Sequence, residues 1–397
     1  MDDRLDRLAE LIVRVGANVQ PGQVVFVTCE PGREAATRAI AAASYRLGAR
    51  FVDVDYFDPW LKRIRVEHAA EDTLDWVPPW YGERARALGD ARAAVIALNG
   101  TVAPTLFDDL DPALVAKDRL PSLKEYMELV NERTINWCVA PCPTRAWAAL
   151  AYPELEPDTA LEALWLAVEH VCRLDEDDPA AAWEARLTAL GGATATLNER
   201  RFDALHFEGP GTDLTVGLLP SSRWESGRSI TVDGIVHLPN LPTEETFTAP
   251  DPERVDGVVR ATMPFFAAEV VVRGLEVRFE GGRVAELQAE SGADALRGEL
   301  ATDDGAARLG EVALVDGAGR IGRLGTVFYE TLLDENAASH LAFGTAYESC
   351  VLPEDQPRLN VSDVHTDFMI GSDEVAVTGI TGAGERVPVL VRGDWQL

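Results

Sequence analysis

Strand-like apolar runs alternate with helix-like stretches through the first half of the chain, and this alternation restricts the fold more than any other feature. Gln23–Thr28 (QVVFVT) is a short apolar run that suits a buried strand, and Arg50–Asp55 (RFVDVD), Ala93–Leu98 and Ile135–Ala140 (INWCVA) read as further strands. Between them, Leu5–Val15 has apolar residues at helical spacing, and Glu34–Leu47 is Ala-rich. Strands separated by helices imply a mainly parallel sheet with crossover helices.

Two more helical stretches follow, Leu161–Arg173 and Ala180–Leu197. The acidic run Asp175–Asp178 before Pro179 suits a helix start, where carboxylates meet the positive end of the dipole. From about Ala204 the texture changes to short alternating strands and Gly turns: ALHFEG, DLTVGLL and EVVVRGLEVRFEGGRVAELQAE. FEGGRV reads as a hairpin with a Gly-Gly turn. Helices are expected near Asp294–Leu300 and Thr331–His340. The expected fold is therefore an α/β N-terminal domain over residues 1–200 with a mainly parallel sheet, then a mixed α+β, β-rich domain over 201–397. A chain of 397 residues fits two domains.

Acidic residues outnumber basic ones, 66 to 36, for a formal charge of −30. That surface repels phosphate backbones and anionic lipid, so neither nucleic acid nor membrane is an expected partner. The N-terminal MDDRLDRL carries acids where a signal peptide needs bases, and no run of 18 apolar residues occurs. A cytoplasmic protein is the expectation. Five scattered cysteines (Cys29, Cys138, Cys142, Cys172, Cys350) make no disulfide framework and read as buried free thiols.

Chemistry-bearing residues concentrate in the second half. In VSDVHTDFMIG, His365 and Asp367 are two apart, so an extended backbone points both to one face. An isolated pair of this kind also occurs as a plain hydrogen-bonded pair. In DENAASHLAFGTAYESC, His340 sits among small residues that let backbone and ligand approach closely; a satisfied histidine near a helix start is the plainer reading. NLPTEETFTAP puts Glu244 and Glu245 between prolines, in a loop or at a strand edge, and Glu311 opens the apolar run of RLGEVALVD. Together these residues offer carboxylates and imidazoles suited to Zn²⁺, Co²⁺ or Mn²⁺. Three carboxylates and two imidazoles exceed what one open catalytic ion takes from protein, and suit two ions sharing a carboxylate. Gly317–Gly322 fits G-x-G-x-x-G nominally, but the following RLGTVFYET is a poor helix start, so a turn is expected there.

NLPTEETFTAP, DENAASHLAFGTAY and HTDFMIG resemble the signature stretches of the aminopeptidase T / aminopeptidase S family of metallopeptidases, and the layout is similar across nearly the whole chain. The resemblance implies Glu245, Glu311, His340, His365 and Asp367 as ligands of two divalent ions, and Tyr347 as an active-site tyrosine. It places the ligand directly before the Thr-Phe-Thr segment, hence Glu245 over Glu244. It also implies a homodimer acting on peptides with a free N-terminus. One departure is the stretch Ser349–Asn360, shorter than the family leads one to expect, which would reshape the rim of the site. A looser resemblance joins the chain to mononuclear iron dioxygenases of the 2,5-dihydroxypyridine type, for which His340, His365 and Asp367 would suffice. Glu245 and Glu311 would then have no task, which favours the peptidase.

Overall fold

The computed structural model describes residues 3–118, 120–121, 124–268 and 270–397. Glu269, the first residue of the EVVVRG run, lies outside them, as do Met1 and Asp2. Two compact units form: Met1–Arg186 with Gly227–Thr243, and Leu187–Ser226 with Glu244–Leu397. The cut falls inside helix Pro179–Arg200, upstream of residue 200, and the segment 227–243 groups with the first unit.

In the first unit, four strands lie in the order Phe51–Tyr56, Val24–Cys29, Ala94–Asn99, Asn136–Pro141, all parallel. Val25, Phe26, Val27 and Ile96 are buried, as expected for inner strands covered on both faces. Helices make the connections. Glu34–Arg46 joins the first two strands in sequence. Pro59–His68 starts where Asp58 Oδ1 accepts the Trp60 N–H at 2.9 Å, with Pro at the first turn. Pro179–Arg200 starts behind Asp178, whose Oδ1 accepts the Ala181 N–H at 3.0 Å; the acidic run is a helix cap. Among the described residues no helix is long and apolar enough to cross a membrane. All five cysteines are free and buried.

The second unit is strand-rich. Eight antiparallel strands run in the order Arg283–Gln288, Glu276–Glu280, Pro250–Arg260, Thr212–Leu218, Ala204–Gly209, Ala376–Ile380, Arg386–Val391, Asp394–Trp395. The FEGGRV hairpin turns at Gly281 and Gly282, both with positive φ (54° and 81°), the backbone that a two-residue hairpin demands. A second antiparallel sheet holds His365–Met369, His340–Gly344, Leu309–Val315 and Glu245–Thr248, in that order. Val312, Leu314, Leu341, Phe343 and Phe368 bury one face of it in the unit's main core. Phe343 stacks on Phe368 at 4.6 Å and meets Phe279 of the larger sheet at 6.2 Å, so this core lies between the two sheets.

One expected element is corrected. The helix placed over Thr331–His340 covers only Thr331–Glu335, and His340 opens a strand. Asn336 Nδ2 donates to the Leu332 carbonyl at 2.9 Å and closes the helix end. His340 then pairs with Ala313 on one side and Met369 on the other. Pairing on both edges outweighs the helix propensity of an Ala-rich stretch. After Gly319 a five-residue helix, Arg320–Leu324, does form, ending at Gly325 with φ 62°.

Candidate metal centre

The smaller sheet puts every candidate ligand on one face. Directly opposed residues of antiparallel strands share a face, and so do residues two apart along a strand. Glu311 opposes Ala342, which opposes Asp367; Gly344 opposes His365; Ala313 opposes His340; Val315 opposes Glu245. Chaining these registers, Glu245, Glu311, His340, His365 and Asp367 all project from the face away from the core. Ala313, Ala342 and Gly344 lie among them. Their small size leaves open the space that the longer side chains converge on.

A bulge makes this possible. Leu309 opposes Phe343 while Glu311 opposes Ala342, so the register slips at Gly310. Strict alternation would put Leu309 and Glu311 on the same face. The extra residue lets Leu309 enter the core while Glu311 faces the site. Gly310 has no room for a side chain: a Cβ there would lie 2.2 Å from the Thr345 carbonyl oxygen and 2.3 Å from that of Gly344.

The donor atoms converge closely. His340 Nε2 lies 3.2 Å from Glu245 Oε2, 3.7 Å from Glu311 Oε1 and 4.0 Å from Asp367 Oδ1. His365 Nε2 lies 3.5 Å from Glu311 Oε2 and 3.7 Å from Asp367 Oδ1. Donors about 2.1 Å from a tetrahedral ion sit roughly 3.4 Å from each other, so these spacings fit donors sharing an ion. Two overlapping groups result: Glu245, Glu311 and His340; and Glu311, His365 and Asp367. Glu311 belongs to both. Glu244 is buried too, and its N–H donates to Asn336 Oδ1 at 2.6 Å, but it belongs to neither group.

Both imidazoles are oriented from behind. His340 Nδ1 faces the Ala338 carbonyl at 3.3 Å, and His365 Nδ1 faces the Thr345 carbonyl at 3.0 Å. A carbonyl can only accept, so each Nδ1 carries the proton in the neutral ring and each Nε2 offers a lone pair to the cluster. Glu245 Oε2 is buried with no hydrogen-bond partner. A buried, unsatisfied carboxylate oxygen is costly unless something positive meets it. This orphaned oxygen, beside the Nε2 lone pair of His340, shows that the residues present fit a divalent ion.

The electrostatics point the same way. Burial opposes charging of His340, but Glu245 and Glu311 outweigh it and hold its pKa well above the ordinary value. His365 is raised likewise, against burial, by Asp367 and Glu311. Burial lifts the Glu311 carboxyl, His340 works against that, and Glu245 and Asp367 add to it. The cluster demands positive charge, and without an ion only protons supply it. Tyr347 stands beside the cluster, its ring edge-on to His365 at 5.5 Å and tilted against Phe247 at 5.8 Å. Burial, Glu311 and Asp367 push its hydroxyl well above the ordinary value, so it stays a proton donor.

Sequence reasoning missed one residue. Glu335, at the end of helix Thr331–Glu335, is held well above the usual carboxylate range by burial and by Asp367, Glu245 and Glu311 nearby. It is a fourth carboxylate in the field of the cluster. Its position in the same short motif as His340 was the available signal, but an acidic helix turn explained it equally well. His237, considered as a lining residue, lies in the first unit with its ring 6.4 Å from that of Trp137.

A strand-built, carboxylate-rich cluster of donors of this kind fits a divalent ion, and its chemistry suits metal-assisted hydrolysis. The chain belongs to the thermophilic metalloprotease (M29) family, whose pattern matches residues 1–395. It is 43% identical over 403 residues to Aminopeptidase T of Thermus thermophilus, covering 98% of each chain. It is 36% identical to Aminopeptidase 2 of Geobacillus stearothermophilus, covering 99% of this chain and 98% of that one. Aminopeptidase AmpS of Bacillus subtilis is 34% identical with the same coverage. A solved structure of wild-type AmpT from Thermus thermophilus matches with a TM-score of 0.90 at 42% identity, covering 99% of both chains. The family resemblance expected from the three motifs is borne out. These relatives are peptidases, which leaves the dioxygenase alternative without support.

Proposed function

We propose that this protein is a metal-dependent aminopeptidase that releases the N-terminal residue from peptides with a free N-terminus, using two divalent ions. The observation that carries the reading is the pair of donor groups sharing Glu311, whose Oε1 faces His340 and Oε2 faces His365. One carboxylate with an oxygen toward each imidazole is suited to bridge two ions. Glu245 and His340 would complete one ion's set, and His365 and Asp367 the other's. The mixed nitrogen and oxygen donors, with no thiolate, suit Zn²⁺, Co²⁺ or Mn²⁺.

Bound ions would supply an acidified water and a polarised scissile carbonyl. The chain's own residues do the rest. With ions bound, His340 and His365 would act as neutral donors through Nε2, their Nδ1 protons directed at the Ala338 and Thr345 carbonyls. The crowded carboxylates favour the substrate's ammonium group electrostatically. Tyr347, kept protonated by burial and by its anionic neighbours, donates a hydrogen bond to the oxyanion that develops on the carbonyl. Glu335, its pKa raised by burial and by Asp367, Glu245 and Glu311, adds a further carboxyl to the field in which the reaction runs. The second unit, Leu187–Ser226 with Glu244–Leu397, serves as the catalytic domain, and the protein works as a cytoplasmic homodimer.

Metal analysis of the purified protein, paired with a panel of aminoacyl-arylamides, tests this reading. Two ions per chain and release of the arylamine are expected. His340→Ala and Asp367→Ala should each lose metal and activity together. Full activity and full metal loading in either variant would refute the assignment, as would a single ion per chain in fully active enzyme for the two-ion centre.

A further inference from the structure

Tyr347 sits at the head of the helical turn Glu348–Cys350, and its ring is held between Phe247 and His365. Neither contact alone fixes where its hydroxyl points. The strip Ser221–Glu225 braces it from two sides. Toward the rim segment, Ser221 Oγ donates to Asp355 Oδ2 at 2.7 Å and accepts the Leu352 N–H at 3.1 Å. The Arg223 N–H donates to the Cys350 carbonyl at 2.7 Å, and Ser349 Oγ donates to Glu225 Oε2 at 3.0 Å. Toward the site sheet, Thr248 Oγ1 donates to the Arg223 carbonyl at 2.7 Å. Glu225 and Phe247 exchange both backbone hydrogen bonds, each at 2.9 Å.

That double exchange makes Glu225 and Phe247 a directly opposed pair, so their side chains share a face. Phe247 in turn opposes Ala313, on the ligand face. Glu225 therefore extends the row Phe247–Ala313–His340 by one further strand position. From there its carboxylate reaches Ser349, two residues beyond Tyr347. It is the one residue of the strip with its backbone on the strand beneath Phe247 and its side chain on the turn that carries Tyr347.

We propose that Glu225 is a positioning residue for Tyr347, fixing the turn through Ser349 and the ring through Phe247. The rim segment Ser349–Asn360 is held to the site by this brace. The proposal rests on the reading of Tyr347 as the hydrogen-bond donor of the reaction. What Glu225 supplies is a hydrogen-bond acceptor at a fixed place.

The test is a mutant cycle on the metal-loaded, full-length enzyme. Glu225→Ala and Ser349→Ala should each lower kcat about 3- to 10-fold, the scale of the net contribution of one ordinary hydrogen bond. KM and metal content should stay at wild-type values. Glu225→Gln, which keeps an acceptor oxygen, should recover most of kcat. In a Tyr347→Phe background, Glu225→Ala should lower kcat no further. An equal loss in both backgrounds would overturn the proposal, as would a loss of metal or a rise in KM with kcat unchanged. If Tyr347→Phe lowers kcat while Glu225→Ala does not, the positioning role alone fails. If Tyr347→Phe keeps wild-type kcat, the reading of Tyr347 fails, and the positioning role with it.

Discussion

Gly310→Ala is the smallest change that separates the bulge from the chemistry it serves. The added Cβ would stand 2.2 Å from the Thr345 carbonyl oxygen and 2.3 Å from the Gly344 oxygen. Both are backbone atoms of the neighbouring strand and its exit, so neither can swing aside as a side chain would. A relaxed carbon–oxygen contact needs roughly 3.5 Å, so the two strands must part by about 1 Å at this point. Overpacking of this kind costs about 1–3 kcal/mol, or a fall in Tm of some 3–10 °C for a unit of this size. The parting is centred one residue from Glu311, whose carboxylate belongs to both donor groups. A misplacement of about 1 Å at a reacting centre costs on the order of 100-fold in rate. Urea unfolding, metal content and kcat on an aminoacyl-arylamide would be measured side by side. The expected result is a modest loss of stability with a disproportionate loss of kcat. Wild-type kcat together with wild-type stability would show that the bulge does not set Glu311, and the face argument would fall with it.

Chelation of divalent ions should lower the thermal midpoint, because the clustered carboxylates lose their counter-charge; with ions at a thousand times their dissociation constant the loss is about 4 kcal/mol. A midpoint indifferent to chelator would refute the metal assignment. His237, buried in the first unit with no partner at Nε2, has its pKa pushed down to about 4 by burial. The unfolded chain takes up this proton near pH 6.5 and the folded one only near pH 4, so stability should fall as pH drops through that window, by roughly 3 kcal/mol. His237→Gln should flatten that limb of the urea-midpoint profile; an unchanged slope would count against it. All five thiols are buried, so a thiol reagent should titrate almost none in the native protein and five in guanidinium. Rapid native labelling would contradict the packing around them.

The sequence by itself determined the parallel sheet of the first unit, because strand and helix periods are local and each run carries its own pattern. It determined that His365 and Asp367 share a face, since a two-residue spacing on an extended backbone leaves no other choice. Its motifs also identified the family. Only the tertiary structure decided that Glu245, Glu311, His340, His365 and Asp367 stand on one face, because register is set by pairing between strands distant in sequence, as where Val315 opposes Glu245, across a sheet whose outer strands hold Glu245 and His365. It turned His340 from the end of an expected helix into the start of a strand, through partners on both edges that no local window contains. It moved Glu311 out of alternation with Leu309 through a one-residue bulge, and that slip in register is invisible in composition or period. It also brought Glu335 into the field of the cluster from a turn that reads as ordinary solvated acid. The donors' identities are written in short motifs, whereas their convergence is a property of long-range hydrogen bonding between strands.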